Sequence, residues 1–173
     1  KKGLGGAINQ GIKNAKGERV IITMADMSDR VEDVIKYNDL MIEKNLDAVL
    51  GSRFIKESLV KDYPLQKMIL NRIFNFAVSL LFWNKFNDYT NAFKIYKKDV
   101  LMELMPLVSE SFNIFLEIPL KIISRNYKYE IIPIHWYGRK KGKAKFQIKE
   151  LRSKYLFTLI YCFIEKNLLN LKK

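Results

Sequence analysis

The sequence predicts an α/β protein in which a mixed, mostly parallel sheet is flanked by helices. Two apolar strands, "RVIITM" (19–24) and "LDAVLGS" (46–52), enclose a helix with Val31, Val34 and Ile35 on one face. Strand, helix and strand with continuously apolar strands are typical of a parallel sheet covered by helices. The 173 residues are 49% hydrophobic, which is enough for one domain with a sizeable core.

Hydrophobic periodicity predicts the remaining elements. In chain order they are a helix over 4–15, a helix over 64–83, a strand passing into a helix over 94–104, a helix over 112–126, a strand over 127–136 and a helix from 147 to the end. The helix over 64–83 is apolar nearly all round, which indicates burial or contact with a membrane. Pro119 predicts a kink in its helix. Pro133 cannot donate to a ladder, so its strand is predicted to be bulged or at a sheet edge.

Composition narrows the classes of partner and compartment. The chain has 31 Lys and Arg against 18 Asp and Glu, a net charge of +13, which favours polyanions or anionic surfaces as partners. The single Cys162 has no partner for a disulfide, and this favours a reducing compartment. No stretch reaches the roughly 20 apolar residues that span a bilayer.

Acidic and hydroxyl side chains follow the first predicted strand. Asp26, Ser28 and Asp29 come directly after it. Asp29 stands three residues before Glu32, a pair that resembles a helix cap, whereas Asp26 lies too early to cap that helix. Carboxylates in a net-positive crevice favour a divalent cation lying between them and a phosphate. Asp26 is therefore the stronger candidate for a metal ligand.

A second polar group follows the strand over 46–52. Ser52 and Arg53 come at its carboxyl end. Ligands of open parallel sheets bind beyond the carboxyl ends of the strands. We therefore expect both residues to share one crevice with the acidic loop.

Six segments in this order resemble the family 2 glycosyltransferases of the dolichol-phosphate mannosyltransferase type. They are "GLGGAINQGIKNAKGE", "VIITMADMSD", "LDAVLGSRF", "NDYTNAFKIYKKDV", "FNIFLEIPLK" and "IIPIHWYGRKKGKAKF". The resemblance extends from the first residue to about Lys149. It implies a GT-A fold and an inverting transfer of a hexose from a nucleotide sugar, of the GDP-mannose or UDP-glucose type, to a polyprenyl or dolichyl phosphate.

The resemblance also implies a metal site and phosphate ligands. The family's Asp-x-Asp motif, which holds Mg²⁺ or Mn²⁺ against the donor diphosphate, has its second Asp at Asp26 and its first at Met24. A thioether is a poor ligand for a hard cation, and Ser28 is expected to contribute beside Asp26. Ser52, Arg53 and Thr90 are implied to bind donor or acceptor phosphate; the last of these belongs to "NDYTNAF".

Four residues are implied to be catalytic. They are Asp88, Glu117, Arg139 and Lys145. Asp88 matches the family's Asp-x-Thr-x-Gly-Phe stretch, in which Ala92 replaces glycine. Arg139 and Lys145 match a basic Arg-x-x-Gly-x-Ser-Lys loop. Each has a structural alternative: Asp88 could brace its turn, Glu117 could pair with a core cation, and the basic loop could simply be solvated.

Three functions remain open at this point. The first is transfer to a polyprenyl phosphate, which needs no strong base because a phosphate is already ionised. The second is transfer to a hydroxyl of a cell-surface saccharide, with Asp88 as general base. The third, nucleic-acid binding through "GRKKGKAKF", is the least favoured, and we expect no nucleic-acid partner.

The resemblance divides the chain into two units. Residues 1–150 are expected to form a GT-A domain that is incomplete at its N-terminus, because nothing resembles the family's "VIIPTYNE" strand. Residues 151–173 are expected to form a basic amphipathic helix. Such a helix would hold the protein on an anionic membrane surface, at the inner, cytoplasmic face where the acceptor resides.

Overall fold

The computed structural model describes residues 3–26, 28–138 and 148–170, with only the backbone of 148–152 and 170. The helices are α1 (Leu4–Asn14), α2 (Val31–Glu43), α3 (Leu65–Phe82), α4 (Lys98–Glu103), α5 (Ile114–Ser124) and α6 (Ile148–Asn170). The strands are β1 (Arg19–Ile22), β2 (Ala48–Ser52), β3 (Leu59–Lys61), β4 (Lys94–Lys97), β5 (Tyr129–Pro133) and β6 (His135–Tyr137).

The main sheet is mixed and has the strand order β1-β4-β2-β5. Strands β2 and β5 pair in parallel, whereas β4 pairs antiparallel with both β1 and β2. Three of these four strands therefore run in the same direction, as the sequence predicts. Strand β4 separates β1 from β2, so the predicted strand-helix-strand unit does not pair its own two strands.

A second, two-stranded sheet pairs β3 with β6 in parallel. The single strand predicted over 127–136 is therefore two strands. Strand β5 ends at Pro133, and Ile134 then donates its backbone N–H to the carbonyl of Ser52. Strand β5 lies at an edge of the main sheet, in agreement with the prediction from Pro133.

The start of α2 differs from the sequence-based prediction. The N-cap residue is Arg30, and no side chain caps this end of the helix. Asp29 instead forms an antiparallel bridge with Trp136, and its carboxylate accepts a hydrogen bond from the Thr23 hydroxyl (3.4 Å). The predicted capping pair of Asp29 and Glu32 is therefore wrong, because Asp29 is held by the second sheet.

The main sheet separates two hydrophobic cores. Ala48 and Leu50 of β2 belong to the larger core, together with side chains of α1, α3, α4, α5 and α6. Val49 belongs to the smaller core, which contains Tyr37 and Met41 of α2. This alternation follows from the two-residue period of a strand, which points successive side chains to opposite faces.

Helices α3, α5 and α6 form one side of the molecule. Every residue of α5 is buried. Helix α6 packs on α5 and contacts α3 through the ring pairs Phe82–Phe163 (6.0 Å between centroids) and Phe74–Tyr155 (5.8 Å). Within the described part of the chain, no helix is long and apolar enough to cross a membrane. The proposed division between residues 150 and 151 falls inside α6 and stays a prediction.

Candidate active site

The candidate site centres on a buried ion pair between Arg53 and Asp88. Arg53 follows β2, and Asp88 lies in the loop that leads into β4. The backbone N–H and Nε of Arg53 donate to Oδ2 of Asp88 (2.9 and 2.8 Å), and Nη2 donates to Oδ1 (2.7 Å). The Asp88 side chain is fully buried and that of Arg53 is 8% exposed. Both carboxylate oxygens are thus engaged by one arginine.

Aromatic rings surround the Arg53 guanidinium. Its Cζ lies 5.3 Å from the ring centroid of Phe54, 5.4 Å from that of Tyr63 and 5.8 Å from that of Trp136. Burial lowers the pKa of Arg53, but the Asp88 carboxylate more than offsets this effect, and the net pKa is raised. Arg53 is therefore a permanent cation in a fixed orientation.

A second cation, Lys94, lies beneath the loop of residues 88–91. Lys94 begins β4 and is 1% exposed; its Nζ donates to the carbonyls of Tyr89 (3.2 Å) and Asn91. Burial lowers the pKa of Lys94 to about 7, although the Asp88 carboxylate acts in the opposite direction. Through its two donations to backbone carbonyls, Lys94 holds the loop of residues 88–91 in place.

Helix α3 holds the same loop from the side. Asn75 is fully buried, and its Oδ1 accepts the backbone N–H of Tyr89 (2.7 Å). The Thr90 hydroxyl donates to Oδ1 of Asn71 (3.0 Å), and Nδ2 of Asn71 donates to the Tyr63 hydroxyl (2.9 Å). Sequence analysis missed this amide pair. The sequence does contain a pattern that could have identified the pair: residues 71, 75, 78 and 82 lie on one face of the helix, so the two amides share a face with buried apolar residues.

The residues predicted to bind phosphate occupy different positions in this crevice. Arg53 lies at its centre, and Thr90 is half-buried at its α3 side. Ser52 is fully buried; its hydroxyl donates to Oδ1 of Asn87 (2.6 Å) and accepts the backbone N–H of Phe54 (3.0 Å). These contacts brace the turn that carries Arg53. A phosphate ligand at Ser52, Arg53 or Thr90 stays a prediction.

The acidic loop after β1 adjoins the ion pair. The Asp26 side chain is exposed, and its Oδ1 accepts the backbone N–H (3.2 Å) and the hydroxyl (2.7 Å) of Ser28. The carbonyl of Ser28 accepts the backbone N–H of Tyr137 (3.1 Å), which attaches the loop to the second sheet. Trp136 connects Asp29 with Arg53, because it forms a backbone bridge with Asp29 and its ring centroid lies 5.8 Å from Cζ of Arg53. The predicted convergence is therefore seen for these two residues, and it stays a prediction for Asp26.

The loop fits a divalent cation that is shared with a ligand. Residues 3–26, 28–138 and 148–170 contain no cluster of three or more His, Cys, Asp or Glu side chains able to hold a metal ion. Asp26 offers an exposed carboxylate, however, and Asp29 has a buried oxygen, Oδ1, with no hydrogen-bond partner there. A cation held at this loop would take its remaining oxygen ligands from outside these two side chains.

Of the other three predicted catalytic residues, only Glu117 lies within the described part of the chain, and it lies outside the crevice. The Glu117 carboxylate accepts the backbone N–H groups of Val108 and Ser109 (2.8 Å each) and lies 3.4 Å from Nζ of Lys121. None of these partners belongs to the crevice. Arg139 and Lys145 lie outside the described residues. Catalytic roles for the three stay predictions.

Comparison with solved structures defines the class of fold. Glucosyl-3-phosphoglycerate synthase from Mycobacterium tuberculosis, crystallised with Mn²⁺, UDP-glucose and phosphoglyceric acid, aligns with 94% of this chain and 55% of its own, with a TM-score of 0.64 and 10% identity. A mycobacterial protein aligns with a TM-score of 0.67 and 12% identity, over 94% of this chain and 52% of its own. The chain has the GT-A glycosyltransferase fold.

The family follows from the sequence match. Residues 1–105 match the glycosyl transferase family 2, and the chain belongs to this family. It is 24% identical to the polyprenol monophosphomannose synthase of Mycolicibacterium smegmatis, over 88% of this chain and 59% of that protein. It is 26% identical to the dolichol-phosphate mannosyltransferase of Pyrococcus furiosus, over 87% of this chain and 42% of that protein. The chain thus spans about half the length of these relatives.

Proposed function

We propose that this protein transfers a hexose, with inversion, from a nucleotide sugar to a polyprenyl phosphate. A phosphate oxygen of the acceptor bonds to the anomeric carbon, while the bond from that carbon to the nucleoside diphosphate breaks and the electron pair leaves with the diphosphate. One observation carries the proposal: Arg53 engages both carboxylate oxygens of Asp88. The names of the two relatives support the same class of acceptor.

The ion pair favours a phosphate acceptor over a hydroxyl acceptor. A hydroxyl needs a general base within hydrogen-bond reach, and Asp88 is the residue that the sequence offers for this role. Its two oxygens accept three hydrogen bonds from Arg53 and its side chain is fully buried, which argues against Asp88 as the base for a hydroxyl. A phosphate is ionised at neutral pH and needs no base, which favours the polyprenyl phosphate.

One nitrogen of the Arg53 guanidinium, Nη1, is available to bind an anion. Nε and Nη2 point to Asp88, and no hydrogen bond within the described residues holds Nη1. Arg72 of α3 shares the Phe54 ring with Arg53, at 5.8 Å from its Cζ to the ring centroid. Two guanidinium groups on one ring suit an acceptor phosphate, because arginine binds phosphate through fixed, directed donors.

A divalent cation, Mg²⁺ or Mn²⁺, completes the proposed donor site. Asp26 and Ser28 would hold it at the end of β1. When bound, it would stabilise the negative charge that develops on the departing diphosphate. The crystal structure of the M. tuberculosis synthase with Mn²⁺ and UDP-glucose supports this proposal by analogy of fold.

We further propose that the protein lies on an anionic membrane at the cytoplasmic face. Helices α3 and α6 together expose an apolar face, formed by Leu65, Ile69, Leu70, Ile73, Phe76, Leu80, Leu156, Phe157, Ile160, Ile164 and Leu168. The exposed cations Lys67, Arg72 and Lys154 lie on the same two helices. An apolar face beside cations fits a bilayer with acidic headgroups.

Vesicle binding tests the membrane surface. The paired variant Ile73→Asp/Phe76→Asp should lose co-sedimentation with phosphatidylglycerol vesicles, and the wild type should bind phosphatidylcholine vesicles more weakly. Ile35→Asp is the matched control, because Ile35 is an apolar side chain of α2 that is 62% exposed and lies outside the apolar face. Equal binding by the paired variant and the wild type would contradict a membrane surface here. A wild-type dimer that the paired variant converts to monomer would identify the face as a contact between copies instead.

Transfer assays test the reaction itself. The full-length protein is incubated with GDP-mannose or UDP-glucose, a polyprenyl phosphate and Mg²⁺ or Mn²⁺, and lipid-linked sugar is extracted and counted. We expect product with one donor and a loss of at least about 100-fold on Asp26→Ala, the scale of a lost charge-stabilising contact. No product with either donor, or full activity of the variant, would contradict the proposed function.

A further inference from the structure

Position 24 departs from the family motif, and its side chain has a structural role at the edge of the core. Met24 stands where the resemblance places the first carboxylate of the Asp-x-Asp motif. Its side chain packs against the larger hydrophobic core. Met24 therefore supplies no oxygen ligand, and Asp26 alone would leave one carboxylate at the end of β1.

Another carboxylate reaches the same place from further along the chain. Asp29 accepts a hydrogen bond from the Thr23 hydroxyl through Oδ2 (3.4 Å). The antiparallel bridge to Trp136 fixes the Asp29 backbone in this position. The loop thus folds back on itself, and the Asp29 carboxylate lies beside the Thr23 side chain.

The second oxygen of Asp29 lacks a partner. Oδ1 is buried and accepts no hydrogen bond within the described residues. A buried acceptor without a partner costs about 1–3 kcal/mol. A cation between Asp26 and Asp29 would satisfy this oxygen and relieve the repulsion between the two carboxylates.

Ser28 is less suited to be the second ligand. Its hydroxyl donates to Oδ1 of Asp26 (2.7 Å), and Ser28 is only 3% exposed. Its backbone N–H donates to the same oxygen. Ser28 therefore orients Asp26, whereas Asp29 has an oxygen to offer.

We propose that Asp29 replaces the carboxylate missing at Met24, so that Asp26 and Asp29 together hold the divalent cation of the donor diphosphate. The inference rests on the metal-assisted function proposed above and changes its ligand set. It also explains why Asp29 leaves the capping position at the start of α2. The diphosphate oxygens complete the coordination, since the described residues offer no third carboxylate at this loop.

Direct Mn²⁺ binding tests the ligand set without relying on catalysis. The free Mn²⁺ signal in electron paramagnetic resonance is titrated with the 173-residue chain, using MnCl₂ alone and MnCl₂ with GDP or UDP. We expect Asp26→Asn and Asp29→Asn each to weaken Mn²⁺ binding by about tenfold or more. Asp39→Asn is the control of equal charge change, because Asp39 is exposed on α2; it should bind Mn²⁺ within about twofold of wild type, the range expected for a distant surface charge.

A second variant separates the loss of a metal ligand from a folding defect in Asp29→Asn. Met24→Asp in the Asp29→Asn background returns a carboxylate to the motif position, and we expect it to recover Mn²⁺ binding. Quenching of Trp136 fluorescence by Mn²⁺ gives a second readout in a Trp83→Phe background, because Trp136 pairs with Asp29 and the chain has two tryptophans.

The outcomes separate this inference from the proposed function. If Asp26→Asn loses Mn²⁺ and Asp29→Asn binds it as the wild type does, Asp29 is not a ligand, and the metal-assisted reaction stands. If the wild type binds no Mn²⁺ under either condition, both the ligand pair and the metal-assisted step are wrong. Sugar transfer, which is measured separately, then shows whether the rest of the proposed function survives.

Discussion

Asp88→Asn is the most informative single change in the crevice. The substitution keeps the size of the side chain but removes its charge and turns one acceptor oxygen into a donor. Arg53, whose side chain is 8% exposed, would then be a buried cation without its counter-ion and would lose one or two of its three hydrogen bonds to this side chain, depending on which way the amide is oriented. Removal of one partner from a buried pair costs about 3–5 kcal/mol.

That loss is large against the stability of a typical domain, about 5–15 kcal/mol. With a urea m-value of about 2 kcal/mol/M, a loss of about 4 kcal/mol lowers the unfolding midpoint by about 2 M. The assay is urea denaturation followed by circular dichroism, with Asp39→Asn as the exposed control. Replacement of both partners, as Arg53→Met/Asp88→Leu, should recover part of the loss because no charge remains buried.

A small loss of stability on Asp88→Asn would contradict the predicted dependence of Arg53 on Asp88. A free energy change of less than about 1 kcal/mol is what an exposed ion pair gives, and it would mean that Arg53 does not depend on Asp88. Asp88 would then be free to act as a base. A stable Asp88→Asn variant that loses transfer to a hydroxyl acceptor would favour the alternative reaction.

Three further predictions concern the residues around the crevice. Asn75→Leu should lower the free energy of unfolding by about 1–3 kcal/mol, since it leaves the buried backbone N–H of Tyr89 without an acceptor; urea denaturation measures this, and an unchanged midpoint would contradict it. Lys94 has a folded pKa of about 7 against 10.5 when unfolded, so the unfolded chain binds more protons between these values, and wild-type stability should rise with pH from 7 to 9 relative to Lys94→Met. If the stabilities of the wild type and of Lys94→Met changed with pH in parallel, the lowered pKa of Lys94 would be contradicted. Glu117→Gln should weaken the contacts to two backbone amides and lower stability by about 1–3 kcal/mol while changing kcat/KM little; a stable variant with a rate loss of about 100-fold or more would instead support a catalytic role.

Elements with strong local patterns were predictable from the sequence. The helix expected over 64–83 is α3 (Leu65–Phe82), and the strand passing into a helix after residue 93 is β4 followed by α4. Periodicity determines these because each needs only neighbouring residues to define its buried face. The convergence of the acidic loop with Arg53 was also predictable, since it follows from the common direction of β1 and β2.

Features that depend on distant residues were not predictable. The insertion of β4 between β1 and β2 is a choice among strand pairings that no local pattern encodes. Strand β3, with three residues, is too short for an alternating pattern. Asp29 has the spacing of a helix cap, and only its bridge to Trp136 reveals another role.

In the candidate site, too, residue identities were predictable from the sequence, whereas contacts between distant residues were not. Arg53 and Asp88 were identified by resemblance, but their bidentate pairing, which argues against Asp88 as a free base, required the structure. Asn75, like Asn71, was overlooked because a few amides in a strongly apolar helix barely change its hydrophobic pattern. Its buried contact with Tyr89 gives it a reason to be polar.

The acceptor specificity of the protein tests the proposed reaction most directly. Polyprenyl phosphate and the matching dephosphorylated polyprenol are compared at equal concentration with the productive donor, and the lipid product is identified by mass spectrometry. We expect product only from the polyprenyl phosphate, with the phosphate retained between lipid and sugar. A product in which the sugar is joined directly to polyprenol, formed at a comparable rate, would contradict transfer to a phosphate.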